Sequence, residues 1–323
     1  METEHLAAAY RPRRSIMSVP ASSGRFLAKA RDLAADEVML DLEDSVAPGA
    51  KADARGLAVA ALAAGGWEGK LIAVRVNGAT TPWAYQDVIA AVGGAPGVVD
   101  TLVLPKVSGP DQVAWLDLLL GQVEQAAGVP VGRTGIEVQV EDAAGLARVE
   151  AIAAASPRLV ALVFGPGDFM ASLGMRSLDI GGQPAGYAYD AHHYTLMRLL
   201  VAARAAGLQA IDGPYGRIHD LDGLRAAAGS VAALGFDGKW VLHPGQVDVV
   251  NAAFTPSPAE YRRAVAILDA YAAATTGEGR GAVMLGEEMI DEASRKMAQR
   301  MAALGAAAGL KPEDARGEGA GEG

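Results

Sequence analysis

Residues 135–168, GIEVQVEDAAGLARVEAIAAASPRLVALVFGPGD, carry the pattern that decides the fold. Residues 135–141 (GIEVQVE) and 159–165 (LVALVFG) are short β-branched runs, and residues 142–155 between them space their apolar side chains as an amphipathic helix does. Strand, helix and strand in so short a stretch make a βαβ unit, whose strands run parallel through a right-handed crossover. The first strand ends on Glu141, and the second runs through Gly165-Pro-Gly into Asp168.

Working outward, the same alternation recurs. Ser15–Pro20 (SIMSVP), 37–44 (EVMLDLED), 71–77 (LIAVRVN) and 101–107 (TLVLPKV) read as strands before this unit, and 208–212 (LQAID) and 239–243 (KWVLH) after it. Residues 23–35 carry helical spacing between the first two. Eight strands alternating with helices predict a (β/α)8 TIM barrel. An open doubly wound sheet is the alternative, but no GxGxxG follows the first strand, as a dinucleotide fold would require. Beyond His243 the texture changes. Residues 254–258 (FTPSP) predict a turn and helix start, 259–275 a helix, 277–286 a glycine-rich mobile stretch, and 287–310 another helix. The expected organisation is a catalytic barrel over 1–250, a small helical lid and oligomerisation extension over 251–312, and a disordered tail over 313–323.

Composition narrows the partners. Of 323 residues, 51% are hydrophobic but only 5% aromatic, so the core must be built from Ala, Val and Leu. Lys and Arg number 28 against 38 Asp and Glu, and the net charge of −10 argues against general affinity for nucleic acid or anionic membranes. With no cysteine, disulfides, thiolate nucleophiles and cysteine-bound metals are excluded. The N-terminal residues lack a signal-peptide core, and no run approaches the ~18 apolar residues of a membrane span. A cytoplasmic protein is expected.

In a parallel barrel the active site lies where the strands' C-terminal ends open into loops. Six of the eight predicted strands bring a charged or titratable side chain there: Asp41, Glu43 and Asp44; Arg75 with Asn77; Lys106; Glu141 and Asp142; Asp168; and His243. Glu141 and Asp168 end consecutive strands. Two carboxylates without His or Cys suit Mg²⁺, a hard ion that keeps waters for substrate to replace. Helix N-caps or salt bridges are the competing reading. Arg75 sits in an apolar strand, where its fork suits a substrate carboxylate or an internal pair with Glu43 or Asp44. Glu43 and Asp44 could instead accept hydrogen bonds from metal-bound water. Gly165 and Gly167 would let backbone approach a ligand. His243 is equally readable as a locally satisfied histidine at the rim, and Lys106 is open in the same way. His192 and His193 are adjacent and would diverge on a helix, so they do not form a metal pair.

The stretches RRSIMSVPAS, VMLDLEDSVAPGAKADAR, VRVNGATTPW, LPKV, EVQVEDAAGL, FGPGDFMASLGM, IDGPYG, GKWVLHPGQV and FTPS run in order from residue 13 to about 258, and MIDEASRK follows. As a set they resemble the HpcH/HpaI aldolase/citrate lyase β-subunit family of acyl-CoA ester lyases. NGATTPW, SLGMRSLDIGG and IDGPYG are closer to its malyl-CoA/β-methylmalyl-CoA lyases. The resemblance implies a TIM barrel, a homo-oligomer (trimer or dimer of trimers), and one Mg²⁺ per site, with Mn²⁺ as a substitute. It places Glu141 and Asp168 as metal ligands and Arg75 on the oxo acid. Gly167 and Asp168 lie beside the substrate, and Ser18, Val19, Lys29, Leu242 and His243 contact CoA. Asp291 matches a catalytic acid/base that reaches a neighbouring subunit's site. Two departures bear on substrate: Ser23 stands where malyl-CoA lyases often have Arg, with Arg25 as a substitute phosphate contact, and the segment 183–193 is shorter.

The implied reaction is reversible cleavage of malyl-CoA or β-methylmalyl-CoA to acetyl-CoA or propionyl-CoA and glyoxylate. A citramalyl-CoA lyase or a malyl-CoA thioesterase of the same family is the alternative. A non-catalytic subunit or binding module of a larger lyase complex is the alternative of another class.

Overall fold

The computed structural model describes residues 11–311. Eight parallel strands close into a barrel in chain order: β1 (Ser15–Pro20), β2 (Glu37–Asp41), β3 (Leu71–Arg75), β4 (Thr101–Leu104), β5 (Gly135–Val140), β6 (Leu159–Phe164), β7 (Gln209–Asp212) and β8 (Gly238–Val241). β1 pairs with β2 and also with β8, in register from Ser15 opposite Lys239 to Met17 opposite Val241, and this double pairing excludes an open sheet. All eight expected strands form. Several stop short of their polar ends, because those residues leave the ladder to bond side chains. After β2, the N–H groups of Glu43 and Ser45 donate to the Asp41 carboxylate at 2.9 and 3.3 Å. The helix expected over 142–155 is two, Ala143–Ala147 and Val149–Ala153, broken at Arg148.

Strand alternation sorts the apolar residues into two layers. Ile16, Met39, Ala73, Val103, Ala161, Val163, Ile211 and Trp240 fill the barrel interior. Val19, Val38, Leu40, Val74 and Leu102 face outward and pack with helix residues such as Leu27, Leu62, Leu116 and Leu120. At the N-terminal ends of the strands the interior is polar. Arg13 Nε donates to Glu37 at 2.8 Å and to Glu137 at 3.3 Å, its Nη1 donates to Gln209, and Thr101 donates to Glu137 at 2.9 Å. One guanidinium thus serves two fully buried carboxylates. Burial, and then the charge of Glu137, push Glu37 well above the usual carboxylate range.

Arg13–Phe254 is one compact unit, and the described residues from Thr255 onward belong to another. In the second unit Ser257 caps the helix Pro258–Glu278 in a capping box with Glu260. The stretch 277–286, expected to be mobile, completes that helix and then enters β9 (Val283–Leu285). This strand pairs antiparallel with β10 (Glu288–Ile290). Gly286, at φ 62°, supplies the left-handed residue of the two-residue hairpin loop. The helix expected over 287–310 therefore begins only at Glu292 and runs to Ala307. Gly305 lets it press on the Tyr261 ring, since a Cβ there would lie 2.3 Å from Cδ2. The expected tail 313–323 lies outside the described residues. Among the described residues, no helix is long and apolar enough to cross a membrane.

Two outcomes follow. A Cβ at Gly238 would fall 1.7 Å from the Arg13 carbonyl oxygen, at the seam between β8 and β1. Gly238→Ala should cost about 3 kcal/mol or more, read as a lowered denaturation midpoint. Glu37 keeps, when folded, a proton that the unfolded chain gives up at its ordinary pKa. Stability should therefore be fullest below that ordinary value and fall as pH rises towards the folded one. Glu37→Gln should flatten this fall in denaturant titrations repeated at rising pH from the ordinary carboxylate value upward.

Candidate active site

The C-terminal ends of the strands surround a cavity of about 540 Å³, reached by Ser18 of β1, Arg75 of β3, Gln139 of β5 with Glu141 just after it, and Trp240 of β8 with Leu242 just after it. Gly165, Pro166, Gly167 and Asp168, where β6 turns into a helix, complete the polar wall. Met170, Met175 and Ile180 make an apolar one.

Arg75 is buried, and its position is set on three sides. Nε and Nη2 donate to the two oxygens of Asp41, each at 2.7 Å, and Nη1 lies 3.3 Å from Glu43. Its guanidinium carbon sits 5.3 Å from the centre of the Trp240 ring. Burial disfavours both charges of the Arg75–Asp41 pair. The paired hydrogen bonds and the opposite charges outweigh it, so Asp41 stays below the usual carboxylate range and Arg75 is raised above the usual guanidinium value. Of the internal partners considered from the sequence, Glu43 or Asp44, Glu43 lies within ion-pair distance, but the main partner is Asp41, which that reading did not name. This pairing leaves Arg75 with spare N–H donors, since a guanidinium carries five.

Lys106 follows β4 with φ 55°, a left-handed conformation that is uncommon outside glycine. Its backbone N–H donates to Glu141 Oε1 at 2.6 Å. Its ammonium reaches Glu43 at 2.5 Å and Asp44 at 2.9 Å, and lies 3.7 Å from Asp168. One strained residue thus touches both carboxylates of the candidate metal pair. Gln139 Nε2 donates to the other oxygen of Glu141 at 2.7 Å.

These residues suit a hard divalent cation. Three cations, Arg75, Lys106 and Lys51, stand among five carboxylates, Asp41, Glu43, Asp44, Glu141 and Asp168, with Lys51 committed to the Leu42 and Glu43 carbonyls. Burial, followed by the charge of Asp168, pushes Glu141 up to about 8. The Lys106 N–H and the charge of Arg75 offset this only in part, and a bound cation would supply the rest. Gly165 keeps the space open, since a Cβ there would lie 2.6 Å from Glu141 Oε2. Among the described residues no three His, Cys, Asp or Glu side chains cluster as a metal cage, so protein would fill only part of the coordination. A Mg²⁺ ion that keeps waters tolerates this.

Other expected residues fall elsewhere. Ser18, Asp44, Gly167, Asp168 and Leu242 line the cavity. Glu43 is buried between Arg75 and Lys106. The Val19 side chain packs in the outer apolar layer, so only its backbone is available to a ligand; strand alternation turns it away from the neighbouring Ser18. Lys29 is exposed in the last turn of the helix Gly24–Ala30 and is not part of the cavity wall. His243 caps the turn after β8, its Nδ1 accepting from the Gly245 N–H at 3.1 Å, and it is exposed at the rim. Asp142 caps the helix Ala143–Ala147 and accepts from Ser108 at 2.6 Å, a structural duty. Asp291 belongs to the second unit. There it caps the helix Glu292–Ala307 and accepts from the Ser294 N–H at 3.0 Å, a bond that lowers its pKa. The residues missed from sequence are Gln139 and Trp240. Gln139 was findable, because it stands two before Glu141 and so shares its face of β5.

Asp41→Asn would leave the buried Arg75 without its two-pronged anchor. Breaking one partner of a buried pair costs about 3–5 kcal/mol, so the variant should lose that much in chemical denaturation.

Comparison with known proteins agrees with this geometry. Residues 14–244 match the model of the HpcH/HpaI aldolase/citrate lyase family. An L-malyl-CoA/β-methylmalyl-CoA lyase of Cereibacter sphaeroides is 39% identical over 301 residues, covering 90% of this chain and 93% of its own. A (3S)-malyl-CoA thioesterase of the same species is 37% identical over 249 residues, 77% of this chain and 79% of its own. The structure of CitE from Mycobacterium tuberculosis, in complex with magnesium, acetoacetate and coenzyme A, superposes with a TM-score of 0.71 at 30% identity, covering 92% of this chain and 99% of that one. With its barrel spanned by the family pattern, the chain belongs to the HpcH/HpaI aldolase/citrate lyase family and is a carbon–carbon lyase.

Proposed function

We propose that the protein reversibly cleaves malyl-CoA, or its β-methyl homologue, into acetyl-CoA or propionyl-CoA and glyoxylate. The observation that carries this reading is a buried guanidinium with spare donors sharing one cavity with the Glu141–Asp168 pair. A small oxo acid has a carboxylate and a carbonyl oxygen, which match a cation beside an arginine. The likeness to the Cereibacter lyase and to the magnesium- and CoA-bound CitE supports the same substrate class.

Glu141 and Asp168 would hold Mg²⁺ (Mn²⁺ as a substitute), which when bound supplies Lewis-acid polarisation of the oxo acid. In cleavage, the bond between the carbinol carbon and the α-carbon breaks. The hydroxyl loses its proton and becomes the glyoxylate carbonyl, and the α-carbon takes up a proton to complete the acyl-CoA. Arg75, held by Asp41 and Glu43, directs its remaining N–H donors at the oxygen where negative charge develops, and its rigid mounting spares reorganisation cost. Asp291 is the acid/base at the α-carbon in this reading, delivered by a second copy in a trimer or dimer of trimers. Alone it is an ionised helix cap; covering by a neighbour would desolvate it and strengthen it as a base. The second unit serves as lid, Ser18, Leu242 and the Val19 backbone border the CoA arm, and Lys29 and His243 lie further out along it. The reading places the enzyme in the cytoplasm.

A thioesterase is the second reading, favoured by the likeness to the (3S)-malyl-CoA thioesterase. That match spans less of the chain than the lyase match does. Mass analysis of products from malyl-CoA and Mg²⁺ separates the two. Acetyl-CoA with glyoxylate supports the lyase, and free CoA with malate in their place supports the thioesterase. Glu141→Gln should lower turnover by about 10²-fold or more; unchanged turnover would remove Glu141 from the site.

A further inference from the structure

We infer that Gln139 is the positioning residue of the cation site, holding the Glu141 carboxylate in place and offering its carbonyl oxygen to an O–H donor that enters with the cation. The inference rests on Glu141 as a cation ligand, and goes beyond that reading in assigning the residue that aims it. Gln139 and Glu141 alternate on one face of β5, and both line the cavity. Gln139 Nε2 donates to Glu141 Oε2 at 2.7 Å, while the Lys106 backbone N–H donates to Oε1 at 2.6 Å. Each carboxylate oxygen is thus tied by one donor from a different strand end, which fixes the plane of the group and leaves lone pairs on both oxygens. With Glu141 ionised, as a cation ligand must be, the amide has one workable orientation, since its flip would set two acceptor oxygens against each other at that distance. That orientation leaves Gln139 Oε1 buried and without a hydrogen-bond partner.

A structural glutamine does not account for this arrangement. A buried acceptor left unpaired costs about 1–3 kcal/mol, and Met or Leu would fill the space without that cost. The neighbouring strand also makes room for the pair. A Cβ at Gly165 would lie 2.5 Å from Glu141 Cβ and 2.9 Å from Gln139 Nε2. Groups that orient a metal ligand typically change metal affinity 10–100-fold when removed.

Gln139→Met keeps the volume and removes both hydrogen-bonding functions. Calorimetric titration of the full-length protein with MgCl₂ alone should show a dissociation constant about 10–100-fold higher than that of the unaltered protein. The metal-free melting temperature should change little, because the loss of the unpaired oxygen offsets the loss of the bond to Glu141. A magnesium affinity within twofold of the unaltered protein would overturn the inference. So would a lowered melting temperature with unchanged affinity, which marks a purely structural residue. Should Gln139→Met fail to fold, Gln139→Asn, which shortens the reach by one methylene, is held to the same affinity criterion. Glu141→Gln separates this inference from the reading beneath it. If it binds magnesium as tightly as the unaltered protein, Glu141 is no ligand and both fail. If it loses magnesium while Gln139→Met keeps it, the inference about Gln139 alone fails.

Discussion

A strand in a closed barrel has no free edge, and its side chains alternate between the barrel interior and the helices outside. Everything else in the catalytic unit follows from that constraint. Pairing of β1 with β8 completes the ring, so each of the eight strands is hydrogen-bonded on both sides and its register is set by its neighbours. The apolar interior of the barrel is closely packed, mostly by small and branched residues with Met39 and Trp240 among them. Where the interior opens at the strands' C-terminal ends, the same inward positions carry Arg75, Gln139 and Glu141 instead.

Burying charge at that boundary requires compensation, and the protein supplies it unevenly. Arg75 is charge-balanced by Asp41 and Glu43 while keeping N–H donors to spare. Glu141 is hydrogen-bonded, but burial and then the charge of Asp168 raise its pKa more than Arg75 lowers it. The contrast gives the two groups different roles. Arg75 is a rigid, permanently charged donor, and Glu141 is an acceptor poised for an incoming cation. Lys106 joins the halves, bonding the acidic residues after β2 through its ammonium and Glu141 through its strained backbone. Backbone strain that persists at such a place is usually retained for what it positions. At the other end of the barrel, Arg13 stands between Glu37 and Glu137, and that polar cluster is fully enclosed and serves stability.

Much of this was legible in the residues. The strands could be read because a parallel strand buried on both faces is a short, nearly unbroken apolar run, and eight such runs stand apart in the chain. The candidate metal pair was legible because strand ends in a parallel barrel converge. The hairpin between the two C-terminal helices was not. VML and EMI are three-residue strands around Gly286, too short for a period-two pattern to outweigh the helical character of the residues around them. Lys29 and Val19 were placed by resemblance, and the structure gives them an exposed helix turn and an outward-facing strand position.

The sequence by itself determined the elements and their order, because local apolar periodicity and turn residues act over a few neighbours. It also determined which residues could meet at the rim, since chain order in a (β/α)8 barrel is spatial order. Only the tertiary structure decided how they pair. Arg75 takes Asp41 in two-pronged fashion, Gln139 takes one oxygen of Glu141, and Lys106 takes the other through its backbone. Those choices depend on side-chain direction, strand register and burial, and none of these is a property of a residue and its neighbours along the chain.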